Sequence, residues 1–224
     1  MRHCREIYEH NERYKKGLET FEMGINQFAD TTAVVESQYV LQTRNKLTVL
    51  SEQGLLDCET SSEGCSGGST FNAVEFVMKH GIAREEDYPY THVQGVCQCK
   101  EKGCSDHPKI LKILQLRSKS EEELKMVVAF LGPVAFNFDG GMNTFLYYNG
   151  GVYSKSNCRA HYQFHSMVIV GYGTENGQDY WLAKNSWGHN WGEKGYIRIA
   201  RNKNNYCGIA NNVFLPMYKT RRPW

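Results

Sequence analysis

The apolar positions along this chain change their spacing near residue 132, and the change divides it into a helical half and a strand half. Residues 1–20 read as a polar helix in which Ile7, Tyr8 and Tyr14 are the few large apolar groups. Residues 21–30, FEMGINQFAD, alternate apolar and polar side chains and predict a short strand. AVVESQYVLQ at 33–42 predicts a helix capped by Thr31 or Thr32. SEQGLLDC at 51–58 predicts a second, with Ser51 at the N-cap. FNAVEFVMKH at 71–80 predicts a third, amphipathic and closed by Gly81. A fourth runs over 119–131, with Ser120 as cap and Glu123 at the capping-box position. Beyond Gly132-Pro133, the runs VAFNF, GGVYS, HSMVIVGYGT, DYWLAKNSW and GYIRIAR read as strands separated by Gly and Asn turns. Helices first and strands second predict an α+β fold in two lobes, with a break near Pro108.

Composition narrows the function classes. A chain of 224 residues, 41% hydrophobic, can bury a core in one large domain or two small lobes. Its 26 basic and 24 acidic side chains leave a net charge of +2, and no Lys/Arg run exceeds a pair, so nucleic acid is not an expected partner. No run of about eighteen apolar residues predicts a membrane span. The N-terminus, MRHCREIYEHNERYKKG, is charged from its start and has no apolar signal-peptide core. Eight cysteines predict disulfides and an oxidising compartment. That sits badly with the charged start, unless the thiols are reduced or the true N-terminus has been lost.

Taken singly, the candidate chemical groups carry little. His165 stands before a predicted strand, where a histidine is more often structural than catalytic. Asn185 in KNSWG suits a turn, and Gly67-Gly68 suits a flexible loop. Cys97, Cys99, Cys104 and His107 have a C-x-C-x4-C-x2-H spacing that can chelate zinc. Disulfide pairing, with Cys99 and Cys104 closing a small loop, is the plainer reading, so neither a metal nor a cofactor is assigned.

Taken in order, the motifs are specific. SEQGLLDC, GCSGG, YPY at 88–90, GPVAF at 132–136, HSMVIVGYG, YWLAKNSWGHNWGEKGYIRI and NNYCGIA at 204–210 form a series. It resembles the papain-type (clan CA) cysteine peptidases, and most closely their cathepsin L-like branch. IYEHN at 7–11 resembles the end of that family's helical propeptide motif, and Gly24, Asn26, Phe28 and Asp30 match its G-x-N-x-F-x-D pattern. The resemblance implies a papain-like two-lobe fold. A propeptide (inhibitor-like) remnant would occupy 1–32, a helical left lobe 33–108, and a β-barrel-like right lobe carrying the histidine and asparagine 109–224.

The resemblance also implies roles. A cysteine thiolate attacks the scissile carbonyl, and a neighbouring imidazolium lowers the thiol pKa and then protonates the leaving amine. His165 would be that acid/base and Asn185 its orienter, with Trp187 covering their hydrogen bond. Gly67 and Gly68 would let a peptide approach the loop backbone. Met167, Asn137 and Asn212 would shape the main specificity pocket, and the two asparagines would make it unusually polar for this branch. Cys158 is expected to pair with Cys207, and Cys58 with Cys97 or Cys99. Partners would be peptide or protein substrates and cystatin-type inhibitors, acting on a monomer in a lysosomal or extracellular setting.

One block of the pattern does not occur. The family's nucleophile segment reads roughly Q-G-x-C-G-S-C-W-A-F, and no such string is present. FADTT runs directly into AVVESQYV, which resembles the second half of the helix that the nucleophile begins. The nucleophile and the oxyanion-hole glutamine are therefore expected to be absent, and with them much transition-state stabilisation. The left lobe is expected to be incomplete and loosely packed. Cys65 is expected to be unpaired, because its implied partner lies in the absent block, and Cys4 has no assigned partner. The expected protein is of the endopeptidase family but inactive as given; the alternative is a non-catalytic pseudoprotease or a peptide-binding, inhibitor-like protein.

Overall fold

Helix α1 (Gln27–Thr43) begins at Gln27 rather than beside Ala33, so it runs through the junction between FADTT and AVVESQYV. The structure, a computed structural model, describes residues 12–13, 16–18, 27–64, 67–91, 93–104, 109–116, 119–155, 158 and 165–218. The strand expected over 21–30 is helix from Gln27 onward, and residues 21–26 lie outside the described ones. The physical reason is packing. Phe28, Thr31, Val35, Gln38 and Gln42 recur at three- and four-residue spacing and are all buried, so the apolar stripe of a helix continues across the junction. Thr32 does not cap; its hydroxyl donates back to the Ala29 carbonyl at 3.1 Å, within the helix. At this junction Phe28, Asp30, Thr31 and Thr32 are at most 3% exposed.

Two further helices complete this part. In α2 (Glu52–Cys58) the Ser51 hydroxyl accepts from the Gly54 amide at 2.8 Å and donates to the Tyr88 carbonyl at 2.6 Å. In α3 (Thr70–His80) Ser69 is the cap, and Gly81, with φ of 81°, closes the helix as a conformation that favours glycine. Helix α1 packs on both. The chain returns to α1 near its end: Gln42 donates to the Pro216 carbonyl at 3.0 Å, and the Tyr218 amide donates to Gln42 Oε1 at 2.8 Å.

The strands are β1 (Lys112–Leu116), β2 (Val134–Phe138), β3 (Val152–Tyr153), β4 (His165–Glu175), β5 (Gln178–Lys184), β6 (Tyr196–Ala200) and β7 (Val213–Met217), in the sheet order β1-β7-β2-β4-β5-β6-β3. Helix α4 (Glu121–Leu131) is capped by Ser120, which accepts from the Glu123 amide at 3.2 Å, and short α5 (Asn143–Leu146) follows β2. Strands β4 and β5 form a hairpin whose turn residues, Asn176 and Gly177, both have positive φ, as a right-twisting two-residue turn requires. The described residues up to Leu114 together with Pro216–Tyr218 form one compact unit, and those within Gln115–Leu215 form another.

Among the described residues, three disulfides join Cys58 to Cys97, Cys99 to Cys104 and Cys158 to Cys207. Of the two candidates for Cys58, the partner is therefore Cys97. Cys4, Cys65 and His107 lie outside the described residues. Among the described residues no helix is long and apolar enough to cross a membrane.

Candidate active site

The sheet places His165 and Asn185 together because β4 and β5 are antiparallel neighbours. His165 opens β4 and Asn185 follows the last residue of β5, so both stand at the same end of the hairpin. His165 Nε2 lies 2.7 Å from Asn185 Oδ1. That oxygen also accepts from the Ser186 amide at 2.8 Å, which fixes it as the oxygen of the carboxamide. Nε2 must then carry the proton, and in the neutral ring Nδ1 is the basic nitrogen. Asn185 is itself held by its amide, which donates to the Gly195 carbonyl at 2.9 Å.

An aromatic wall surrounds the pair. The Trp187 ring centroid is 4.9 Å from that of His165, and Phe145 is 5.6 Å from His165 and 5.2 Å from Trp187. Trp191 adds a further ring 5.2 Å from Phe145. His165 itself remains partly exposed at the start of β4. Burial penalises the charged ring and pushes the His165 pKa down to about 4, against the Asn185 hydrogen bond, which raises it. The imidazole is thus neutral at pH 7 and offers Nδ1 as a base.

Sequence reasoning missed two residues that fix this ring. A Cβ on Gly140 would meet the His165 Cβ at 2.6 Å, so only glycine permits the histidine's placement. Phe145, fully buried in α5, forms the floor on which His165, Trp187 and Trp191 pack. The only signal for either was local, in DGGMNTFLYY, and it carried no spacing that distinguishes a site from a core.

The candidate pocket residues are placed as follows. Asn137 pairs in register with Ser166, whose hydroxyl donates to Asn137 Oδ1 at 3.3 Å, and the Asn137 amide donates to the Asn212 carbonyl at 3.3 Å. Asn137 and Asn212 are therefore neighbours next to the start of β4. Met167 is fully buried and stands in register with Phe136. Gly67 and Gly68 belong to the other unit. The Gly67 amide donates to the Gly64 carbonyl at 3.2 Å, and its carbonyl accepts from the Glu63 amide at 2.9 Å. With φ of 133° and open space where a Cβ would point, Gly67 leaves its backbone approachable.

A histidine oriented by an asparagine amide, under a tryptophan, on an α+β scaffold defines a class: the thiol peptidases of papain type. The chain matches the papain family cysteine proteases over residues 27–217 and belongs to that family. It also matches the cathepsin propeptide inhibitor domain (I29) over residues 1–34. Among curated proteins it is 42% identical to a cathepsin L-like proteinase of Fasciola hepatica over 84% of this chain and 57% of the relative. It is 41% identical to a cathepsin L-like protein of Caenorhabditis elegans over 83% of this chain and 56% of that one. The chain thus spans a little over half the length of the curated relatives it matches. Among solved structures, digestive procathepsin L 3 from the larval midgut of Tenebrio molitor superposes with a TM-score of 0.78 at 31% identity, over 96% of this chain and 88% of that one. The fold is therefore papain-like α+β, with its right-lobe sheet present.

Proposed function

We propose that this chain holds the acid/base and peptide-binding parts of a papain-family endopeptidase without its nucleophile, and that it does not hydrolyse peptide bonds as it stands. His165 is the acid/base, Asn185 orients it, Trp187 shields their hydrogen bond, and Gly67 with Gly68 receives the peptide backbone. Asn137, Met167 and Asn212 bound the main side-chain pocket. The observation that carries the reading is a mismatch. The His165–Asn185 pair is set at 2.7 Å with Nδ1 as the available base, while helix α1, where the family begins with its cysteine, contains none between Gln27 and Thr43. The six described cysteines are all bonded to one another. A thiolate would stabilise the imidazolium, and without one burial keeps the ring neutral. Family membership points to a lysosomal or extracellular setting, and the disulfides among the described residues suit an oxidising one. Ligands are peptides or proteins, with cystatin-type inhibitors as further proposed partners.

The test is hydrolysis of a fluorogenic dipeptidyl substrate by the purified chain, with and without a thiol-reactive epoxide. No epoxide-sensitive turnover is the expected result. Turnover abolished by the epoxide would overturn the proposal, and the labelled cysteine would be the nucleophile. Intact His165, Asn185 and Trp187 favour a second reading, in which a longer product of the same gene is an active peptidase. An open frame encoding C-G-x-C-W in the genomic DNA between the codons for Thr32 and Ala33 supports it, and uninterrupted coding there refutes it.

A further inference from the structure

Two Asn-Gly pairs occur in the chain, Asn149-Gly150 and Asn176-Gly177, and both are exposed. Exposure does not separate them, but the backbone does. We propose that Asn149 is a site of spontaneous covalent modification: its side chain cyclises onto the Gly150 amide and hydrolyses to aspartate and isoaspartate, while Asn176 is protected by its turn.

Asn149 and Gly150 form the crown of a small arch between α5 and β3. Its feet are fixed. The Tyr148 amide donates to the Phe145 carbonyl at 3.1 Å, and the Tyr148 hydroxyl donates to the Gly151 carbonyl at 2.7 Å. The Gly151 amide donates to Glu193 Oε1 at 3.0 Å, and Arg198 holds Glu193 in turn through bonds of 2.8 Å and 2.6 Å. Tyr148 is buried, and its ring centroid lies 5.6 Å from that of Trp191, in the aromatic wall of the candidate site. Between these clamps the crown is loose: among the described residues no hydrogen bond engages Asn149 or Gly150. Ring closure requires rotation about the bond from the Asn149 Cα to its carbonyl carbon, and a following residue without a side chain leaves room for it.

The second pair has the same chemistry and a different frame. Asn176 and Gly177 are the turn of the β4–β5 hairpin, with φ of 49° and 77°. The flanking residues Glu175 and Gln178 are paired across the strands, and the pairing continues through Thr174 and Asp179. The Thr174 hydroxyl also donates to Asp179 Oδ1 at 2.5 Å. A turn locked on both sides denies the rotation that ring closure needs, so cyclisation at Asn176 has to wait until the hairpin opens.

The atoms balance with water as the only co-reactant. Hydroxide takes the Gly150 amide proton, and the amide nitrogen attacks Asn149 Cγ. The new C–N bond closes a succinimide, the bond to Nδ2 breaks, and ammonia leaves with a proton from water. A second water then adds to either ring carbonyl. Opening on one side gives aspartate, and opening on the other gives isoaspartate, in which the main chain runs through the former side chain and gains a methylene. Nothing is oxidised or reduced. Each product places a carboxylate on the arch, next to the segment that Glu193 and Tyr148 hold.

Ageing the full chain at mildly alkaline pH and physiological temperature, followed by proteolysis and mass spectrometry, tests this. The peptide spanning Asn149 should gain the mass of an amide-to-acid exchange, in two chromatographically separate forms, and should take up heavy oxygen when the chain is aged in heavy-oxygen water. The rate should rise with pH, because hydroxide removes the amide proton. Conversion at Asn176 should be slower by about tenfold or more, the cost of opening the hairpin. In urea, where neither the arch nor the turn persists, the two rates should agree within about threefold. Asn149→Gln, an exposed substitution that closes a larger ring, should abolish the product. Asn149 that stays intact in the folded chain, or Asn176 that converts as fast as Asn149 there, would overturn the proposal.

Discussion

Phe28→Ala tests whether the residues just before the junction are structural. The phenyl ring is 1% exposed at the second position of α1. Truncating a buried phenylalanine costs about 3–5 kcal/mol, as lost transfer free energy plus a residual cavity. The first turn of a helix relaxes more readily than its middle, which places the value near 3 kcal/mol. In a chain of this length each kcal/mol moves the melting temperature by about 2–4 °C, so Phe28→Ala should lower it by about 6–12 °C. Leu41→Ala is the control, because Leu41 lies on the same helix but is 50% exposed; a surface truncation of that kind stays within about 0.5 kcal/mol, or a degree or two. The assay is circular-dichroism melting under non-reducing conditions. If Phe28→Ala shifts the midpoint no more than Leu41→Ala does, residues 27–32 do not complete the core and the reading of α1 is wrong.

Stability should depend on pH through His165. Folded His165 protonates near pH 4 and an unfolded one near 6.5, so the unfolded chain binds more protons between those values. The contribution of neutral His165 is complete above pH 6.5 and is lost progressively as the pH falls to about 4; His165→Gln should flatten that stretch of a urea-midpoint profile. Asn185→Ala removes the hydrogen bond that raises the His165 pKa, so the imidazole resonance should titrate at still lower pH by NMR. Glu121→Ala should destabilise the strand-rich unit by about 2–4 kcal/mol in urea unfolding, because three donors lose one charged acceptor. They are Trp181 Nε1 at 2.9 Å, the Asn202 amide at 2.9 Å and the Asn205 amide at 3.0 Å. Glu121→Gln should recover part of that loss.

Much of this architecture was legible in the sequence where one residue decides a local geometry. Ser51 and Ser120 cap the helices that their positions predict, and Gly81 ends α3. The His165 and Asn185 blocks were legible because both flank strands with clear β patterning, so the hairpin delivers them to one end of the sheet. What could not be read depends on packing between distant segments. FADTT suits a strand end, a cap or a helix, and only the burial of Phe28 and Thr31 selects the helix. The requirement for glycine at 140 arises from a side chain 25 residues later, and the hub at Glu121 gathers donors from β5 and the segment after β6. No local pattern encodes those meetings.

Helix α1 also carries information about the length of the chain. The match to the propeptide domain ends at residue 34 and the match to the peptidase begins at residue 27, so the same eight residues serve both. In an α-helix each residue turns the chain by about 100°. Phe28 therefore points inward only because the number of residues between it and Val35 keeps the two motifs in rotational phase. Adding or removing one residue at Thr32 would swing Phe28, Thr31 and the acid at Asp30 about a quarter-turn out of the core while leaving every motif in the sequence intact. The junction behaves as a geared coupling, sensitive to a slipped tooth in number as well as to the loss of a buried side chain such as Phe28.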